Sequence, residues 1–370
     1  MQEPTEAAIL ATLRAWVETE SPTRHAAGVN RVADLAEGQL RAIGAAIERR
    51  PGRDGMGDLL LARLPGERDG PGLLLLGHMD TVHPVGTLAG PLPFRVEDGR
   101  AYGPGIYDMK AGNVMALAAL EHLHARGERP LLPVTVMLIP DEELGSPTTR
   151  AAIEAEARRH AAALVFEPSG EGGKLTVARH GIARWRLRAR GRSAHAGAYH
   201  ADGISAVRIM AQAVLALEGL TDHARNFCVN IGTIAGGTHE NMVPAECSAI
   251  CYALVPTARE AQELEQAVAA LPVEAEPGLG RPPYGKTPAI QAMFDHAAHL
   301  AAGSAFPVAG ERVAGGGSDG NFTGALGVPT LDGLGAIGAG PHTLEEHILT
   351  ACLVPRTRLI AGLLRTLNPP

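Results

Sequence analysis

Leu73-Leu74-Leu75-Leu76-Gly77-His78-Met79-Asp80-Thr81-Val82 sets the reading of the whole chain. Four consecutive leucines with no polar alternation describe a strand buried on both faces. A histidine and an aspartate follow at its carboxyl end. The pattern recurs. Val134–Ile139 is a second apolar run, followed by Asp141-Glu142-Glu143. Residues 163–166 form a third, which ends on Glu167. A strand predicted over 328–331 leads through a glycine-rich turn to His342. Helical spacing covers 8–20, 31–47, 111–126, 289–302 and 353–367. Alternating strands and helices predict an α/β domain with a mainly parallel sheet covered on both faces. In such a sheet ligands gather outside the carboxyl ends of the strands. Four separate strand ends therefore deliver imidazole and carboxylate groups to one edge.

The middle of the chain follows a different pattern. Residues 175–190 alternate, with Val177, Trp185 and Leu187 set against Arg184, Arg186 and Arg188, as in a strand with one wet face. A helix over 204–217, strands over 227–234 and 248–255, and a helix over 259–269 follow. This order predicts a small α+β, ferredoxin-like domain over 175–287, inserted into a larger domain made of 1–174 and 288–370. The proline- and glycine-rich stretch 276–288 reads as the returning linker.

Composition narrows the function classes. The chain has 370 residues, 45% hydrophobic and 20% charged, enough for one large core and a smaller one. A net charge of -7 argues against a nucleic-acid partner. No uninterrupted apolar run reaches the roughly 18 residues that a membrane span needs. The opening Met1-Gln2-Glu3-Pro4 lacks the basic and apolar regions of a secretory signal, so a cytoplasmic location is expected. The four cysteines form no C-x-x-C pair, and Cys247 and Cys251 lie in an apolar run, as buried structural thiols do. Any metal must therefore take histidine and carboxylate ligands.

Those donor types suit Zn2+, and Co2+ and Mn2+ accept them too. Asp108 lies in Gly103-Pro104-Gly105-Ile106-Tyr107-Asp108-Met109-Lys110, a turn before a helix, where a carboxylate can bridge two metals. Of the adjacent Glu142 and Glu143, one can bind metal while the other takes a proton from water. A lone histidine is more often a hydrogen-bonded core residue, and an Asp-Glu-Glu triplet more often a solvated turn. His78 and Glu167 stand out because each continues an unbroken apolar run, and a charge at a buried strand end needs a partner.

Gly77-His78-Met79-Asp80-Thr81-Val82, Gly105-Ile106-Tyr107-Asp108-Met109-Lys110, Asp141-Glu142-Glu143-Leu144-Gly145-Ser146 and Gly340-Pro341-His342 resemble the aminoacylase/carboxypeptidase metallopeptidase family. The glutamate carboxypeptidase (carboxypeptidase G) branch is the nearest in pattern. The resemblance covers most of the chain, in order. It implies a two-zinc, exopeptidase-like catalytic domain and an inserted lid that serves dimerisation. It implies one zinc on His78, Asp108 and Glu167 and a second on Asp108, Glu143 and His342. Asp80 would orient His78, Glu142 would act as general base, and the Asp108-Met109 peptide would be cis. Gly191-Arg192-Ser193-Ala194-His195-Ala196-Gly197 resembles the segment whose histidine reaches the partner subunit's site, so a homodimer follows. Asn241, in Gly236-Gly237-Thr238-His239-Glu240-Asn241, and Arg281 match substrate-contacting positions.

One departure bears on the substrate. Where the carboxypeptidase branch carries Asp-x-Arg, this chain has Tyr252 and Leu254. Two enzymatic readings follow: release of a C-terminal amino acid from a small peptide, or deacylation of an N-acyl amino acid. A non-catalytic binding protein is the third. Gly333-x-Gly335-x-x-Gly338 fits a dinucleotide pattern but lies outside the first strand–helix unit and lacks the acidic residue about 20 positions on.

Overall fold

A computed structural model gives the structure of the protein and describes residues 4–278 and 280–369. The chain divides into two compact units. The first comprises Met1–Ala178, Lys286–Val313 and Ser318–Pro370; the second comprises Arg179–Gly285 and Ala314–Gly317.

The first unit is built on a six-stranded sheet in the order Ala46–Arg50, Leu59–Leu64, Val134–Ile139, Gly72–His78, His160–Val165 and Thr330–Leu331. The last four strands run parallel, and the first two are antiparallel additions. Register brings the chemistry-bearing ends together. Parallel pairing sets His78 beside Ile139 and Leu76 beside Val165, so the residues that follow each strand leave from the same edge. The strand Gly72–His78 is buried along its whole length, as four unalternated leucines require.

Two glycines fix how closely the flanking helix lies. A Cβ on Gly112, at the start of the helix Ala111–Ala125, would meet the Phe166 carbonyl oxygen at 2.0 Å. A Cβ on Gly77 would sit 1.9 Å from Oδ1 of Asn113 on the same helix. Glycine at both positions lets the turn carrying Asp108 lie directly against the ends of two strands.

The local assignments need four corrections. The helix expected over 31–47 is Ala26–Ala42; the chain turns at Gly44, whose φ is 80°, and continues as the edge strand Ala46–Arg50. Leu59–Leu64 was not anticipated, because a short apolar strand carries no clear periodicity. The single strand expected over 175–190 is two, Leu175–Arg179 and Gly181–Arg190. The strand Glu274–Pro277 takes in the first two residues, 276 and 277, of the stretch expected to be a linker.

The second unit is a four-stranded antiparallel sheet in the order Cys228–Gly236, Glu246–Val255, Gly181–Arg190 and Glu274–Pro277. The helices Ala206–Glu218 and Ala258–Ala269 join it through one apolar core that includes Leu187, Met210, Leu217, Cys251 and Leu264. Along Gly181–Arg190, Leu187 and Ala189 are buried while Arg184, Arg186, Arg188 and Arg190 are exposed, which is the alternation of a sheet with one wet face. All four cysteines are free thiols, and Cys247, Cys251 and Cys352 are buried. Among the described residues, no helix is long and apolar enough to cross a membrane.

Candidate metal centre

Asp108 stands between two imidazoles. His78 Nε2 lies 3.2 Å from its Oδ1, and His342 Nε2 lies 3.3 Å from its Oδ2. Around this axis, Glu167 Oε1 is 3.9 Å from His78 Nε2, and Glu143 Oε2 is 3.3 Å from His342 Nε2. Two overlapping groups, His78 with Glu142 and Glu167 and His78 with Asp108 and Glu143, each bring ligand atoms within 4.8 Å of one another. The structure thus gathers His78, Asp108, Glu142, Glu143, Glu167 and His342 from five distant segments.

Each group is delivered by a specific local feature. His78 ends its strand, and its ring Nδ1 lies 2.9 Å from the Asp80 carbonyl oxygen and 3.4 Å from Oδ1 of Asp80. The shorter contact holding the ring is therefore to the backbone. The Asp80 carboxylate mainly holds the opposite wall: it accepts from the backbone N–H of Glu142 at 3.1 Å, that of Glu143 at 3.2 Å, and the Thr23 hydroxyl at 2.7 Å. Asp108 and Met109 have non-helical dihedrals inside the turn Ile106–Lys110, and the bond between them is cis, as the family resemblance implies. His342 adopts the left-handed region at φ 63° in a turn closed by the Thr343 N–H on the Gly340 carbonyl at 3.1 Å. His78 is 1% exposed and Glu142 9%.

The electrostatics favour positive charge here. Burial pushes the His78 imidazole toward neutrality, but hydrogen bonds to Asp108 and Asp80 outweigh it and hold its pKa well above the ordinary value. Hydrogen bonds to Asp108 and Glu143 push His342 up to about 10. Burial raises the Asp108 carboxyl, yet its contacts with His342 and His78 win and keep it below the usual carboxylate range. Burial raises the Glu143 carboxyl, and its Oε1 is buried without a hydrogen-bond partner. Converging carboxylates, two imidazoles and an orphaned carboxylate oxygen are the donor set of a hard-to-borderline divalent cation site. The residues present fit such ions, which need neutral rings and ionised carboxylates and so compete with protons here.

His195, Asn241 and Arg281 lie in the second unit. His195 Nδ1 accepts from the N–H groups of Gly197 and Ala198 at 3.2 and 3.1 Å, and the Asn241 carbonyl accepts from Ala196 at 2.8 Å, so the two turns support each other. Arg281 is only 6% exposed and its backbone pairs with Ile182, which rules out a solvated linker arginine.

Several residues around the cluster were not singled out from the sequence. Asn113 donates to the His78 carbonyl at 2.6 Å. Asp141 accepts from the Thr148 N–H and hydroxyl, both at 2.7 Å, and from the Thr149 hydroxyl at 2.5 Å, closing the turn after Glu143. Glu346, 1% exposed, accepts from the turn that carries Asp108. In the sequence it stands only as the second residue of the acidic pair Glu345-Glu346, ahead of His347.

A strand-end cluster of this composition in an α/β sheet, together with the matches that follow, makes the chain a metallohydrolase. The family is shown directly: a model described as "Peptidase family M20/M25/M40" matches residues 74–366, and the chain belongs to that family. Carboxypeptidase G2 from Pseudomonas sp. (strain RS-16) is 32% identical over 96% of this chain and 88% of its own length. A succinyl-diaminopimelate desuccinylase from Alkalilimnicola ehrlichii is 31% identical over 81% of this chain and 85% of its own. Among solved structures, an M20 family metallo-carboxypeptidase from Sulfolobus solfataricus superposes with a TM-score of 0.75 at 15% identity, covering 96% of this chain and 99% of that one.

Proposed function

We propose that this metallohydrolase cleaves the amide bond of a small peptide or N-acyl amino acid in the manner of a glutamate carboxypeptidase. His78, Asp108 and Glu167 hold one zinc, and Asp108, Glu143 and His342 hold the other; Co2+ or Mn2+ can replace zinc on these donors. Asp108 carries the assignment, because each of its oxygens already has one of the two imidazoles within 3.3 Å, as a bridging carboxylate requires. When bound, the ion pair polarises the scissile carbonyl and makes a water acidic enough to attack at neutral pH.

The side chains do the rest. Glu142 takes the proton of the attacking water and returns it to the leaving amine, the two-way task of a general base that becomes a general acid. Asp80 keeps Glu142 and Glu143 in register through their backbone N–H groups. His195 of the partner subunit donates to the developing oxyanion in a homodimer formed through the inserted unit. Asn241 and Arg281 contact the substrate, with Arg281 suited to a carboxylate.

A second reading, N-acyl amino acid deacylation, is favoured by Tyr252 and Leu254 standing where the carboxypeptidase branch has Asp-x-Arg, and by the similarity to a desuccinylase. Hydrolysis of a panel of acetyl-, succinyl- and peptidyl-amino acids, measured before and after chelation, tests both. Release of C-terminal glutamate from peptides, lost on chelation and restored by zinc, is expected. Cleavage of the acyl compounds alone moves the assignment to the deacylase. Hydrolysis that survives exhaustive chelation sinks the metal mechanism.

A further inference from the structure

Glu346 receives four N–H groups on two oxygens. Oε1 accepts from the backbone of Tyr107 at 2.9 Å and of Asp108 at 3.0 Å. Oε2 accepts from the backbone of Gly105 at 3.0 Å and lies 2.6 Å from the His83 ring Nε2. The carboxylate is 1% exposed, and His83 is 6% exposed. A buried charge is tolerated only when fully hydrogen-bonded, and this one is.

The chain brings Glu346 there for a topological reason. Antiparallel pairing sets His347 beside Tyr102, so the preceding residue lies at the mouth of the turn that begins at Gly103. That turn has an unmet need. Asp108 and Met109 are non-helical, so the N–H groups leading into the helix Ala111–Ala125 cannot all find acceptors one helical turn back. Glu346 supplies the acceptors from outside the helix. It also lies four residues beyond His342, so a single carboxylate ties together the two segments that carry Asp108 and His342.

We propose that Glu346 is a positioning residue for the bridging aspartate. It locks the backbone at 105–108 so that Asp108 turns one oxygen toward His78 and the other toward His342. His83 caps the same carboxylate and fixes its rotamer. This role presupposes that Asp108 bridges the two metals. Glutamine at 346 would keep one carbonyl oxygen but set an amide NH2 against two of the four donors, so the turn would lose two bonds and gain a donor–donor clash.

The test is zinc affinity of the full chain, measured by competition with a chromophoric chelator, together with the visible spectrum of the Co2+-loaded protein. Glu346→Gln is expected to weaken zinc binding by about 10–100-fold, the usual cost of losing a partner that orients a ligand. It should also change the Co2+ absorption and lower kcat at saturating metal while leaving KM nearly unchanged. His83→Gln, which keeps the three backbone bonds, should cost less. If folded Glu346→Gln binds zinc as tightly as wild type, whatever its Tm, the positioning role is overturned. Should Glu346→Gln not fold, Glu346→Asp carries the same comparison: it keeps the charge but falls a methylene short, and wild-type affinity there overturns the role equally. Wild-type protein that binds no zinc, or Asp108→Asn that binds it undiminished, would instead overturn the metal centre itself.

Discussion

The two units place similar charged side chains in opposite settings. In the first, carboxylates at the strand ends are buried and each holds several backbone or hydroxyl donors: Asp80 takes the N–H groups of Glu142 and Glu143 and the Thr23 hydroxyl, and Glu346 takes those of Gly105, Tyr107 and Asp108. In the second, Arg184, Arg186, Arg188 and Arg190 line an exposed sheet face, and the buried face is apolar. Residue type alone does not separate the two. The number of donors held and the distance from water do, because a charge is worth more, and costs more to disturb, where solvent cannot replace its partner. Substitutions should therefore have effects that fall steeply from the strand ends of the first unit to the open face of the second.

The largest expected effect is at Glu142. Glu142→Gln keeps the size and the backbone bond to Asp80 but cannot accept a proton. We expect kcat to fall by at least about 10²–10⁴-fold, the usual share of a general base, with bound zinc unchanged by metal analysis. Full activity in Glu142→Gln would end its assignment as base, and loss of metal would make it a ligand instead.

Asp80 comes next. Asp80→Ala strands two backbone N–H groups and the Thr23 hydroxyl in a buried setting, at about 1–3 kcal/mol each before relaxation. Urea unfolding of the metal-free proteins should show a loss of about 3 kcal/mol or more, and the displaced Glu142–Glu143 turn should cost activity as well. A loss under about 1 kcal/mol would mean that water reaches these groups and that the strand-end carboxylates resemble those of the open face after all.

The sequence carried this contrast unevenly. His78 and Glu167 were legible because each continues a buried apolar run, where an unpartnered charge has no ordinary place. Asp108 and His342 were legible only by place, in a turn before a helix and beyond a glycine-rich turn, since neither turn carries a periodicity; the match to family motifs gave them their ligand roles. Glu346 and Asp141 were missed because a buried carboxylate that holds backbone N–H groups has no signature of its own: Glu345-Glu346 reads like any solvated acidic pair. The edge strand Ala46–Arg50 and its inner neighbour Leu59–Leu64 escaped because antiparallel strands added beside a parallel core are set by their neighbours rather than by their own pattern.

Glu156 lies between the extremes. Its carboxylate takes a bidentate pair from Arg63, at 2.8 and 3.1 Å, and its side chain is 3% exposed against 34% for Arg63. Burial pushes the carboxyl up, but the Arg63 hydrogen bonds outweigh it and hold it below the usual range. A folded-state pKa below the unfolded one, which is about 4.3, stabilises the fold above that value, and the benefit is lost as pH falls through the folded pKa. Glu156→Gln should therefore cost about 1 kcal/mol at neutral pH, a modest figure because Arg63 is partly in water. The gap from wild type should close below about pH 4. A gap that stays constant into acid would place its origin in packing rather than charge.

Arg190 and Glu274 complete the series and give its sharpest control. Their contact is also bidentate, at 2.6 and 3.3 Å, nearly the geometry of Arg63 with Glu156, but the two side chains are 57% and 56% exposed. Exposure separates the pairs, as do the further partners of the first one: Arg159 also reaches Glu156 at 3.5 Å, and Glu48 reaches Arg63 at 3.4 Å. Water and dissolved salt compensate for the loss of either partner on an open sheet face. Arg190→Ala should then leave Tm, zinc affinity and kcat at wild-type values, at low salt as well as high. If it lowers Tm as far as Glu156→Gln does, the arginine face does not meet solvent in the working protein. The contrast between the units would then be one of partners, with that face covered by another molecule.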